Sequence, residues 1–287
     1  MKKITYLLTA ALVISLSAQQ CRKKDDKSLK IVGSDTMVQM TQTLAKKYME
    51  KYPDRLVSVQ GGGSGTGIAA LLNDSAHVAN ASRKMKDKEF EMAQSKNIVV
   101  KEHIVGLDAL SIVVNPANPV GKLNINQLSD IFAGKVTNWK ELGGKDAQIV
   151  AISRDNNSGT HVYFKEDVLR KGDSKSDLEF GKTIVYAVSN QQIIDQVSAN
   201  ENAISYVGLG WLSAKVKTVD IESEKNKKYV KASMETAMNG TYPLSRTLQM
   251  YSNEAYNNLS GSFMEYVLSD EGQNIVEAMG FVKVKNK

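Results

Sequence analysis

The sequence predicts an α/β protein of two lobes, each a mainly parallel sheet flanked by helices. Three observations predict it. Strand-like apolar runs alternate with segments of helical period along most of the 287 residues, the pattern of parallel sheets covered by helices. A long apolar run over 104–114 ends in the turn cluster Asn115-Pro116-Ala117-Asn118-Pro119 and reads as a crossing between two sheets. Finally, three apolar strand ends pass into helix starts through the same chemistry: Gly33-Ser34-Asp35-Thr36, Gly61-Gly62-Gly63-Ser64-Gly65-Thr66-Gly67 and Arg154-Asp155-Asn156-Asn157-Ser158-Gly159-Thr160.

The elements follow in order. Residues 29–32 read as a strand ending at Gly33. Met37, Met40, Leu44, Tyr48 and Tyr52 then recur at helical spacing until Pro53 stops the helix. Residues 56–60 alternate like a strand, a short helix is expected over 67–73, and a strand over 77–81 closes on Ser82-Arg83. Past the crossing, helices are expected over 125–132, 160–169 and 191–199, and strands over 148–152, 183–188 and 203–207. Gly208-Leu209-Gly210 reads as the return crossing, and Tyr242-Pro243-Leu244-Ser245-Arg246 begins another extended segment. Helical patterns over 262–268 and 271–279 finish the chain. The implied division is 29–110 for the first part of lobe 1, 111–206 for lobe 2 and 207–287 for the rest of lobe 1. Two lobes joined by crossings suit hinge closure around a ligand.

The first 20 residues have the layout of a secretory signal peptide: Lys2 and Lys3, an apolar stretch over 4–16, then small and polar residues. That stretch is too short for a membrane span. The single cysteine, Cys21, follows at once, so no disulfide can form within the chain. Its position is that of the lipid-modified first residue of a bacterial lipoprotein, with 21–28 as a polar tether. Gln20 departs from the small residue usual before such a cysteine; cleavage near Ser17, leaving Cys21 free, is the alternative. Removing Lys2 and Lys3 takes the net charge from +6 to +4. The basic residues are mostly lysines scattered among acids, which argues against nucleic acid as a partner. With 42% hydrophobic and 24% charged residues, the chain has the composition of a globular protein.

A helix start offers unpaired N–H groups and the positive end of a dipole, glycine permits close backbone approach, and hydroxyls add donors. Three such starts, one with an arginine, suit a small oxyanion. The glycine cluster is neither a phosphate loop of the Gly-Lys-Ser/Thr type nor a dinucleotide fingerprint, since Ile68 stands where the last glycine belongs. It is no nucleophile elbow either, because Thr66 takes the final glycine position around Ser64. Arg154 supplies a planar fork for oxyanion oxygens. Ser82-Arg83 offers a second hydroxyl and guanidinium. Asp35, Asp108 and Asp155 read as caps or arginine partners. His77, His103 and His161 share no metal-ligand spacing, so neither a metal nor another cofactor is expected. Ser158 and His161 stand three apart, but no third residue orients them as nucleophile and base.

With these residues quoted, the chain resembles the phosphate-binding proteins of bacterial phosphate ABC importers over residues 29–285. Beyond the three loops, the resemblance rests on Asn115-Pro116-Ala117-Asn118-Pro119-Val120, Ile131-Phe132-Ala133-Gly134-Lys135-Val136-Thr137-Asn138-Trp139 and Ile204-Ser205-Tyr206-Val207-Gly208-Leu209-Gly210. Tyr242-Pro243-Leu244-Ser245-Arg246 and Ser269-Asp270-Glu271-Gly272-Gln273 through Gly280-Phe281-Val282 complete it. It implies a type II periplasmic-binding-protein fold with inorganic phosphate in the cleft. It also implies a non-enzymatic, monomeric receptor at the cell envelope that serves a membrane permease. By position, Thr36 and Ser64 supply hydroxyls, Met37 a backbone N–H and Arg154 the charge, while Ser158, Gly159 and Thr160 cradle the anion. Ser34, Ser82 and Arg83 are added to this set. Two aspartates that accept phosphate's proton in family members are absent here, Ser82-Arg83 and Asn156 standing in those regions; Asp35 is the expected substitute acceptor. A receptor for sulfate or molybdate, a phosphate-sensing protein and, in another class, a secreted phosphate-ester hydrolase using Ser158 or Ser64 are the alternatives.

Overall fold

The computed structural model describes residues 28–284. The expected signal peptide, Cys21 and most of the tether lie outside them. The chain opens with β1 (Ser28–Gly33), α1 (Val38–Lys51), β2 (Leu56–Gln60), α2 (Ser64–Leu72), β3 (Val78–Ala81) and α3 (Asp87–Ser95). The 15-residue strand β4 (Val100–Val114) follows. Next come β5 (Lys122–Leu123), α4 (Ile125–Phe132), β6 (Val150–Arg154), α5 (Gly159–Tyr163), β7 (Val185–Ala187), α6 (Asn190–Ala199) and β8 (Ala203–Gly208). The chain ends with β9 (Lys217–Glu222), β10 (Tyr229–Val230), α7 (Met234–Met238), β11 (Ser245–Asn253), α8 (Asn257–Leu268) and α9 (Asp270–Ala278).

Each lobe is built on a sheet of mixed parallel and antiparallel pairing. In the first, the order is β2-β1-β3-β11-β4, with β1 parallel to β2 and β3, and β11 antiparallel to β3 and β4. In the second, the far half of β4 pairs antiparallel with β8, and β6 lies parallel between β8 and β7. β4 is therefore the shared strand: residues 100–109 pair with β11, and 110–114 pair with β8. The apolar face of α1 carries Met40, Leu44 and Tyr48 into the first core, where the Tyr48 ring meets Phe263 of α8 edge-on at 5.2 Å. α4 starts where Asn124 and Gln127 cap each other, each side chain accepting from the other's backbone N–H, so its start was legible from sequence.

The return crossing differs from expectation. The chain does not rejoin the first lobe at 207. β9 pairs with Ile112–Val114 on the other side of β4 from β8. Val219, Ile221, Ala232, Ala237, Tyr242 and Leu244 pack into one core with Leu110, Ile112 and Val114. The segment thus stays with the second lobe until β11 begins at Ser245. Gly208-Leu209-Gly210 is a turn that touches the first lobe: the Trp211 indole N–H donates to the Thr36 carbonyl at 3.1 Å. The apolar residues of 217–238 are spread over a six-residue strand, a two-residue strand and a five-residue helix, too little for a periodic signal. The helix expected over 160–169 is present as α5, continued without a break by a π-helical stretch over Phe164–Leu169. Among the described residues, no helix is long and apolar enough to cross a membrane.

Candidate anion-binding site

All three Gly/Ser/Thr loops leave the carboxyl ends of parallel strands, β1, β2 and β6, the place where open α/β sheets bind ligands. The first two are tied together by the Gly63 N–H donating to the Gly33 carbonyl at 2.9 Å, and the first is anchored to β3 by the Ser34 N–H on the Asn80 carbonyl at 2.8 Å. The third loop comes from the opposite lobe and meets them. The Gly65 N–H donates to the Asn157 carbonyl at 3.0 Å, and a Cβ on Gly63, whose φ is +96°, would overlap that same carbonyl.

The hydroxyls converge at this junction. Ser34 Oγ donates to Ser82 Oγ at 3.0 Å. Ser64 Oγ accepts the Ser82 N–H at 3.0 Å and lies 3.4 Å from Ser82 Oγ. Across the lobes, Thr36 Oγ1 and Thr160 Oγ1 are hydrogen-bonded at 3.0 Å. Gly159 backs directly onto this cluster: a Cβ there would overlap Ser64 Oγ and stand 2.9 Å from Ser82 Oγ. Ser34, Thr36, Ser64, Ser82, Ser158 and Thr160 are all buried.

Arg154 is the charge at the junction. It is 1% exposed, and its side chain is gripped from behind by the turn after β7. Nε donates to the Ala187 carbonyl at 3.3 Å and Nη2 to the Val188 carbonyl at 2.8 Å. Nη1 is buried with no hydrogen-bond partner, 3.4 Å from Asp35 Oδ2. Burial pulls the guanidinium pKa down, and the charges of Asp35 and Asp155 oppose that; arginine nonetheless stays charged in proteins. A buried cationic N–H without a partner is costly, and an anion held here removes that cost through a charge-assisted hydrogen bond. Asp35 Oδ2 accepts from both the N–H and the Nδ2 of Asn190, each at 2.8 Å.

Other expected residues are placed differently. The Arg83 guanidinium is bidentate on Glu89, at 2.8 and 2.7 Å, outside the hydroxyl cluster. The Met37 N–H donates to the Ser34 carbonyl at 3.1 Å. Ser158 Oγ caps α5 by accepting the His161 N–H at 3.3 Å. The His161 ring faces away from Ser158: Nδ1 meets Ser153 Oγ at 3.1 Å, and the ring lies 4.7 Å from Phe180. Asn190 and the buried Asp108–Arg246 pair are features that sequence reasoning did not place at the site. Arg246 reaches it through Nη2, which donates to Thr160 Oγ1 at 3.0 Å.

Comparison with known proteins identifies the family. Residues 18–271 match the model of the PBP superfamily domain. The phosphate-binding protein PstS of Pseudomonas aeruginosa PAO1 is 34% identical, over 91% of this chain and 84% of that protein. PstS of Staphylococcus aureus USA300 is 31% identical, over 89% and 78%. The chain belongs to the PstS family of phosphate-binding proteins. Among solved structures of that family, a putative phosphate ABC transporter substrate-binding protein with bound phosphate from Clostridium perfringens superposes with a TM-score of 0.81 at 31% identity, covering 90% of this chain and all of that one. An ABC-type phosphate transport receptor from Vibrio cholerae gives 0.71 at 28% identity, over 89% and 100%. The expected two-lobed type II periplasmic-binding-protein fold is the fold of these family members.

Proposed function

We propose that this protein captures inorganic phosphate outside the cytoplasmic membrane and delivers it to the membrane permease of an ABC importer. Its family relatives are binding proteins for that anion. The observation in this chain that supports the reading most directly is Nη1 of buried Arg154, which has no hydrogen-bond partner beyond its 3.4 Å ion contact with Asp35, at a junction lined by hydroxyls from both lobes. In this reading Arg154 binds the anion's charge, and the hydroxyls of Ser34, Thr36, Ser64, Ser82, Ser158 and Thr160 exchange their mutual contacts for its oxygens. The lobes part to admit phosphate and close on it. Full hydrogen bonding in a dry site then sets specificity, because a buried donor or acceptor left unpaired costs about 1–3 kcal/mol. Asp35 accepts the proton that phosphate carries and sulfate lacks. Cys21 carries the lipid that holds a monomeric receptor at the envelope.

The protein is read as non-catalytic because the Ser158–His161 pair is structural: Ser158 caps a helix and the His161 ring is engaged by Ser153. The deciding experiment is calorimetry on phosphate-stripped protein, titrated with phosphate, sulfate and arsenate. Wild type should take up phosphate, and Arg154→Ala should lose about 3 kcal/mol of binding, a hundredfold or more. Near-native affinity in that variant would overturn the site assignment.

A further inference from the structure

The turn between β7 and α6 does two jobs at once. Its carbonyls at Ala187 and Val188 hold the back of Arg154. Two residues on, Asn190 reaches out of the same turn to Asp35 of the opposite lobe, 155 residues away in sequence. We propose that Asn190 is the latch of the closed state: by joining Asp35 to the turn that grips Arg154, it sets how long the closed lobes retain their anion. The inference rests on the phosphate-receptor reading for its ligand.

The contact has the properties of a latch. Both donors of Asn190 end on one carboxylate oxygen at 2.8 Å, so they are charge-assisted and short. The two partners belong to different lobes, so hinge opening breaks both bonds together. Nothing on α6 requires asparagine at this position for the helix itself, because Ser189 already caps it, its Oγ accepting the Gln192 N–H at 3.1 Å. Asn190 is fully buried, and its Oδ1 has no hydrogen-bond partner. The latch therefore carries its own opposing cost: closing gains two bonds to Asp35 and strands one acceptor that water satisfies when the lobes part. Such a contact holds part of the anion-free population closed and slows release once an anion adds its own contacts. Population shift of this kind needs only a modest differential between the two states.

The test is the kinetics of phosphate release. Asn190→Asp places a carboxylate against Asp35, and like charges at that distance oppose closure. Its release rate should rise at least about tenfold with little change in association, since interface changes act mainly on dissociation. Asn190→Ala, which keeps the backbone donor, should give a smaller rise. Thermal melting without phosphate should show both variants folded, because α6 keeps its cap. Unchanged release in Asn190→Asp overturns the latch. If wild-type protein binds no phosphate, the receptor reading fails instead, and small-angle scattering of anion-free protein decides the latch alone. The aspartate variant should then be the more extended, and an unchanged radius of gyration overturns the proposal.

Discussion

Asp35 shows how one side chain can serve structure and selectivity together. Its Oδ2 accepts two hydrogen bonds from Asn190 and faces Arg154 at 3.4 Å. In the proposed function, a carboxylate beside the anion admits an oxyanion that brings a proton and repels one that does not. Asp35→Asn removes the repulsion. It should let sulfate compete about tenfold better for the site, read by displacement of phosphate in a binding assay. Unchanged competition by sulfate would exclude Asp35 as the acceptor. Sequence pointed to this residue only by elimination, since the two aspartates of other family members are absent. Its partner Asn190 could not be found that way: a single asparagine after a serine cap looks like any helix start, and the contact spans 155 residues.

At the scale of elements, the loops that carry the site were legible because their signals are local. A strand that ends in Gly-Ser-Asp-Thr, in a run of glycines or in Arg-Asp-Asn-Asn-Ser-Gly-Thr announces a turn and a helix start within a few residues. Among the elements that went unread, α3 is nine residues long with a single buried residue, Ala93, while β5, β9, β10 and α7 are between two and six residues long, too short for a period to show. The place of those four in the second lobe comes from the pairing of β9 with β4, β5 and β10 and from the shared core, which are long-range facts. The start of α5 illustrates how closely local geometry and closure are linked. Gly159 has an ordinary backbone conformation, so alanine fits the second lobe by itself and favours the helix slightly. The obstruction comes from the other lobe, where the new Cβ would overlap Ser64 Oγ. Gly159→Ala should therefore leave the melting temperature of anion-free protein close to wild type while phosphate affinity falls a hundredfold or more. Calorimetry for binding and melting for stability separate the two. A variant that binds normally would mean that the lobes close further apart than this structure has them.

For the whole molecule, the question is what allows two lobes with separate cores to act as one unit. One buried carboxylate lies where the chain passes between them. Asp108, on β4 two residues before the pairing switches from β11 to β8, is fully buried. Its Oδ2 accepts from Nε and Nη2 of Arg246, at 3.1 and 2.8 Å, on the strand of the second crossing. Its Oδ1 accepts the Leu209 N–H at 2.8 Å, from the turn that touches the first lobe after β8. Arg246 passes the connection onward to Thr160 at the site. Both crossings and that turn thus meet on two oxygens, so the hinge is clasped by a charge pair rather than by apolar packing. A buried pair adds little net stability over apolar residues of similar shape, yet removing one partner strands the other charge, at about 3–5 kcal/mol. Asp108→Ala should lower unfolding free energy by that amount in chemical denaturation. The double variant Asp108→Leu with Arg246→Met, which strands no charge, should recover much of the loss. The double variant should also still bind phosphate more weakly than wild type, because Arg246 no longer orients Thr160. If Asp108→Ala costs less than about 1 kcal/mol, the pair behaves as a solvated surface bridge, and the lobes are coupled by the continuity of β4 and β11 and by the contacts across the candidate site.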